Sequence, residues 1–115
     1  MRDCTKFYID GQWVDPARAD TREVENPATE KAIGHISFGS AADVDKAVAA
    51  ARRAFEDWQF SSRETRLELL RAILAEIGKR REDLASAISD EMGAPMSLAN
   101  GPHVGLLAGH CQTAI

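Results

Sequence analysis

The chain has 115 residues, 44% of them apolar and 28% charged, with a formal net charge of -4. That length makes one small domain or a piece of one, and the acidic balance argues against a nucleic-acid surface, where clustered Lys and Arg must face phosphate. No apolar run approaches the ~18 residues of a membrane span, nothing after Met1 reads as a signal peptide, and two distant cysteines, Cys4 and Cys111, suit reduced thiols in a cytoplasmic protein better than a disulfide.

Cys4 falls in a terminus expected to fray. Residues 7–14 predict a β-hairpin: Phe7 and Ile9 alternate with Tyr8, and Asp10-Gly11 suits a two-residue turn that needs positive φ at both positions. Pro16 stops the second strand, and a polar link follows from Asp15 to Arg22. Val24 opens a second pairing. Asn26-Pro27-Ala28-Thr29-Glu30 reads as its turn, and Ala32 to Phe38 as the returning strand. Four short strands of this kind need helices or another sheet against them.

Ser40-Ala41-Ala42-Asp43 is a capping-box variant that starts the first helix. Val44, Ala47, Val48, Ala51, Phe55 and Trp58 then recur at spacings of three and four, which makes one apolar stripe. Gln59-Phe60 ends that helix and Ser61-Ser62-Arg63-Glu64 caps the next, with Leu67, Leu70, Ile73, Leu74 and Ile77 inward. Gly78 ends or bends it. A third helix carries Leu84, Ala85 and Ile88, and Gly93 closes it in the left-handed conformation. Pro95 and Asn100-Gly101-Pro102 frame a loop. Pro102 suits the first turn of a last helix, which runs to Ile115 with no stop signal of its own. There is no internal repeat, and no linker-like change of composition separates two domains.

Few residues offer chemistry. Cys111 follows His110, but adjacent helical residues point about 100° apart and do not face one another; its apolar neighbours Leu107, Ala108 and Ile115 make it a packing residue. His103 and His110 are two turns apart, about 10.8 Å of rise, too far to share a zinc ion at ~2.1 Å from each ligand. His35 stands alone in a strand. Neither Gly-x-Gly-x-x-Gly nor Gly-x-x-x-x-Gly-Lys-Ser occurs, so no phosphate cradle is expected. The acidic neighbours Glu23 and Glu25, and Asp90 and Glu91, read as solvated charges. The basic run Lys79-Arg80-Arg81, followed at once by Glu82 and Asp83, reads as a solvated helix end.

Several marks together resemble the N-terminal part of the aldehyde dehydrogenases, from about Phe7 to the last residue. They are Asn26-Pro27-Ala28-Thr29, then Ala47-Val48, Ala50-Ala51-Arg52-x-Ala54-Phe55 and Trp58, then Arg66, Leu84-Ala85 and Glu91-x-Gly93-x-Pro95. Each mark alone is unspecific; their joint order is not. Ala94 departs from the Lys that many members carry there, which questions the branch and not the family. The resemblance implies an α+β piece, two N-terminal β-hairpins followed by about four α-helices, belonging to a larger α/β fold. Residues 1–115 would be the N-terminal part of the NAD(P)-binding domain, with strands about 7–38 and helices about 41–115.

The resemblance also implies an activity. Such enzymes oxidise an aldehyde to a carboxylic acid with NAD or NADP. A cysteine thiolate in a Gly-Gln-x-Cys run adds to the carbonyl, a Glu serves as general base, and an Asn side chain with a backbone amide holds the oxyanion. None of these elements is found in the present residues, and neither is the family's Pro-Trp-Asn loop, so no catalytic or cofactor-binding residue is assigned. The full-length enzyme would take NAD or NADP and form a homo-oligomer; these residues alone would bind no cofactor and turn over no aldehyde. The resemblance further implies a weak sodium or potassium site at Val24, Glu25 and Glu91, since a hard cation wants several oxygens and at least one full charge. The alternative there is a plain helix-end carboxylate. A second functional class stays open: a free-standing small helical domain that binds a partner or a full-length relative.

Overall fold

Pairing of short strands dominates the first third of the chain and helix the remainder, and the computed structural model describes residues 2–115. Five strands form: β1 (Arg2–Cys4), β2 (Phe7–Ile9), β3 (Gln12–Val14), β4 (Thr21–Asn26) and β5 (Lys31–Ser37). They are followed by α1 (Ala41–Trp58), α2 (Arg63–Lys79), α3 (Arg81–Met92), the single turn α4 (Met96–Leu98), a π-turn over Ala99–His103, and α5 (Val104–Ala114). The order of two hairpins and then helices is the expected one. The contacts divide the chain into two compact units, one comprising residues up to Glu25 with Lys31–Phe60, the other Asn26–Glu30 with Ser61–Ile115. That division has no linker-like composition to announce it.

In the first unit β2 and β3 pair antiparallel with Phe7 opposite Val14 and Ile9 opposite Gln12. Their turn takes φ of 55° at Asp10 and 76° at Gly11, the paired positive values that the Asp-Gly dipeptide supplies. The other sheet has the order β1-β5-β4. Here two expectations fail. Residues 2–4 are not a frayed end: β1 pairs parallel with β5, Arg2 opposite Gly34 and Cys4 opposite Ile36. A three-residue strand is too short to show a period, and its partner is 32 positions away. Gly34 makes room for it, since a Cβ there would lie 2.9 Å from the Arg2 carbonyl oxygen. The other failure is the polar link, which ends earlier than expected because β4 begins at Thr21.

α1 starts at its expected cap. The Asp43 carboxylate accepts from the Ser40 backbone N–H at 2.8 Å and from the Ser40 hydroxyl at 2.7 Å. Yet the face of α1 that is buried is not its large apolar stripe. Asp43 and Ala50 are the buried positions, and Ala50 with the more exposed Ala47, Ala51 and Ala54 lines a recess beside the Tyr8–Gly11 end of the hairpin. Val44, Val48, Phe55 and Trp58 are exposed, by 58%, 54%, 49% and 42%. Small side chains admit a close hairpin; the bulky ones one position round the helix stay wet.

In the second unit the core gathers Ile77, Ala85, Ala94, Ala99 and Val104, with Leu84, Ile88, Ala108 and Cys111 packed against it. On α2, Leu67 and Ile77 are buried and Leu70 and Leu74 half-buried as expected, but Ile73 faces out at 42% exposure. Ser62 caps α2 by accepting from the Thr65 N–H at 3.1 Å. Gly78 lies inside the last turn of α2, and the break falls at Arg80. Gly93 ends α3 at φ 71°, the left-handed cap expected of it.

The loop expected around Asn100-Gly101-Pro102 is instead helical. Proline removes a hydrogen bond from an α-helix and its ring meets the carbonyl four residues back. Widening the turn relieves both, and the Val104 N–H reaches five residues back to the Ala99 carbonyl while also contacting that of Gly101. Proline is thus carried inside a helical run rather than at its start.

Candidate functional site

Two of the motifs that carry the family resemblance meet in the second unit. Asn26 builds its turn twice over. Its side-chain Oδ1 accepts from the N–H groups of Ala28 at 2.9 Å and Thr29 at 3.2 Å, and its backbone carbonyl accepts from those of Glu30 at 2.8 Å and Thr29 at 3.2 Å. Such side-chain mimicry of a backbone turn is what favours Asn before Pro. Pro27, held by that turn, packs against Gly93: a Cβ at Gly93 would lie 2.9 Å from the Pro27 Cγ. The Asn-Pro motif and the Glu-x-Gly motif, 66 residues apart in sequence, are therefore in contact.

The residues expected to face a cation are placed as follows. Val24 is half-buried and Glu25 exposed on β4; Glu91 is exposed in the last turn of α3. Among the described residues no group of three or more His, Cys, Asp or Glu could hold a metal ion, so any cation would depend on backbone carbonyls as well as carboxylates. His103 is half-buried and His110 exposed. His35 is not alone: its Nε2 lies 3.8 Å from Glu23 Oε1.

Among the described residues Asp43 is the one buried charged side chain. Beyond the two Ser40 bonds it accepts from the Ala17 N–H at 2.8 Å. These donors hold its carboxyl below the usual carboxylate range, the Ser40 hydroxyl contributing most and the Ser40 and Ala17 amides next. A carboxylate so fully engaged braces the helix cap and the loop around Ala17. Sequence reasoning identified only its capping half.

Cys4 is exposed and Cys111 half-buried, both free. Cys111 packs against the second unit's core, as its neighbours suggested. A largely apolar recess of about 390 Å³ is lined by Ala72, Ile73, Ile77, Leu84 and Leu107 together with Glu76 and Arg80. The two charged residues at its wall pair with each other, Arg80 Nε lying 3.6 Å from Glu76 Oε2. Among the described residues no helix is long and apolar enough to cross a membrane.

The sequence model of the aldehyde dehydrogenase family matches residues 13–115. The chain belongs to the aldehyde dehydrogenase family. It is 52% identical over 96 residues to 3-succinoylsemialdehyde-pyridine dehydrogenase of a Pseudomonas species, covering 84% of this chain and 20% of that one. A solved aldehyde dehydrogenase from Bartonella henselae superposes with a TM-score of 0.95 at 40% identity, over 97% of this chain and 24% of its own. Aldehyde dehydrogenase C of Pseudomonas syringae, solved as a mutant with NAD+ and octanal, gives 0.92 at 49% identity, over 95% of this chain and 22% of its own. The present residues thus span about a fifth to a quarter of these relatives, and the stretch they match is the N-terminal one.

Proposed function

We propose that residues 1–115 form the N-terminal part of the NAD(P)-binding domain of an NAD(P)-dependent aldehyde dehydrogenase. That enzyme is cytoplasmic and homo-oligomeric, and it oxidises an aldehyde to a carboxylic acid. These residues supply scaffold and no catalytic group. The observation that carries this reading is the fold likeness over nearly the whole chain to dehydrogenases about four times its length. The exposed stripe of α1 supports it, since Val44, Val48 and Phe55 need cover that the first unit does not supply.

The test is to read the genomic DNA beyond the codon for Ile115. Continuation, in frame or after one frameshift, into a Gly-Gln-x-Cys reading is the expected result. A stop with no such reading in any frame would count against the proposal and favour a free-standing interaction domain.

In the complete enzyme Val24, Glu25 and Glu91 are proposed as oxygen donors to a weakly held sodium or potassium ion. The donors would be the backbone carbonyls of Val24 and Glu25 and the Glu91 carboxylate, an all-oxygen set with one full charge, which suits a hard cation. Potassium is expected to raise the melting temperature of the complete enzyme and to lose that effect in Glu91→Gln. An unchanged response in that variant sinks the assignment.

A further inference from the structure

The π-turn leaves a backbone group without its helical partner, and one side chain takes it up. In an unbroken α-helix the Val104 N–H would bond the Asn100 carbonyl, four residues back. Here it bonds that of Ala99 instead. The stranded Asn100 carbonyl accepts from Arg81 Nη2, and the Asn100 side-chain Oδ1 accepts from Arg81 Nε at 2.7 Å. One guanidinium at the first position of α3 thus grips both oxygens of one residue, a two-point contact that a planar fork can make and a point charge cannot. On either side of the turn Ala99 and Val104 are fully buried, at 0% and 1% exposure.

We propose that Arg81 is a register latch: by holding the Asn100 oxygens it fixes the π-turn, and through it the rotational setting of α5 against the core. Pro102 favours the same register, because in an α-turn its ring would meet the Leu98 carbonyl. The latch holds the register even without that proline. Loss of the turn would shift every residue of α5 by one helical position, about 100°. Cys111, now packed on the core, would take the exposed place of Gln112. His110, now exposed, would take the place of Cys111. This inference rests on contacts within the second unit and does not depend on the enzyme's reaction.

The test is thiol labelling in a Cys4→Ser background, on the 115-residue chain, with helix content followed by circular dichroism. Pro102→Ala alone is expected to label Cys111 at the parent rate. Pro102→Ala with Arg81→Ala is expected to label it about tenfold faster, the shift that losing charge-assisted hydrogen bonds implies. A reporter moved by His110→Cys, with Cys111→Ser, is expected to show the opposite change and label more slowly in the double variant. Faster labelling at both positions means fraying or unfolding and overturns the proposal. So does an unchanged rate at Cys111 in the double variant, or a changed one in Pro102→Ala alone.

Discussion

Pro27 and Gly93 touch so closely that no side chain can be added at Gly93 without displacing the Pro27 ring: an ideal Cβ there sits 2.9 Å from Pro27 Cγ. Gly93 also holds φ at 71°. Two independent demands, a left-handed cap and a close approach, fall on one residue and explain why it is glycine.

Gly93→Ala should therefore destabilise the second unit by more than the roughly 1–2 kcal/mol that a left-handed backbone costs an L-residue. Pro27→Ala should relieve only the steric part. Gly78 is the control, because a Cβ there meets nothing within 4 Å, and Gly78→Ala should stabilise α2 by up to about 1 kcal/mol. Amide hydrogen exchange in the last turns of α2 and α3 reads all three variants. Equal effects at the two glycines would contradict the packing argument.

Asp43 should make the first unit sensitive to acid. Its carboxyl is lowered from 3.8 by the hydroxyl and amide of Ser40 and the amide of Ala17. A lowered carboxyl contributes stability that is fully present above the unfolded value and lost as pH falls through the folded one. Protection of α1 should then hold from neutrality to about pH 4 and drain below it. Asp43→Asn should show weaker α1 protection at neutral pH and a smaller acid step. Glu76, lowered by its bond to Lys79 and that residue's charge, remains in this variant, so the acid step of α2 should persist. Hydrogen exchange across an acid series separates the two.

The large side chains left wet should make the 115-residue chain weak on its own. Phe60 is 83% exposed and Leu106 61%, in addition to the α1 stripe. At ~25 cal/mol per Å², a few hundred Å² left in water forgoes several kcal/mol, comparable with a whole domain's margin. Calorimetry of the purified chain should give a broad transition, with dye binding that reports exposed apolar surface. A sharp cooperative melt of a monomer would contradict this.

Much of the fold was legible because its signals are local. Asp10-Gly11, Asn26-Pro27, Ser40 with Asp43, Ser62 and Gly93 each act on their own few residues, and each stands where sequence placed it. What was not legible depends on distant partners. Parallel pairing of Arg2–Cys4 to β5 has no trace in three residues. The choice of the alanine face of α1 over its valine and phenylalanine face is made by the hairpin, not by periodicity. The helical path through Pro102 needs the wider turn, and the grip of Arg81 on Asn100 lies 19 positions away. The candidate site was legible as two motifs, Asn26-Pro27 and Glu91-x-Gly93. Only the family resemblance set them side by side; the residues themselves do not, because a contact across 66 positions rests on a distance.

An N-terminal scaffold role in an aldehyde-oxidising enzyme can be tested by direct exchange. The most direct measurement replaces the matching stretch of wild-type Pseudomonas syringae aldehyde dehydrogenase C with residues 1–115 and follows nicotinamide reduction with octanal. The chimera should fold and turn over octanal within about tenfold of its parent, a loss of roughly 1.4 kcal/mol or less in transition-state stabilisation, while the purified 115-residue chain shows no turnover. A chimera that neither folds nor reacts, or a free chain that reduces NAD by itself, would contradict the account.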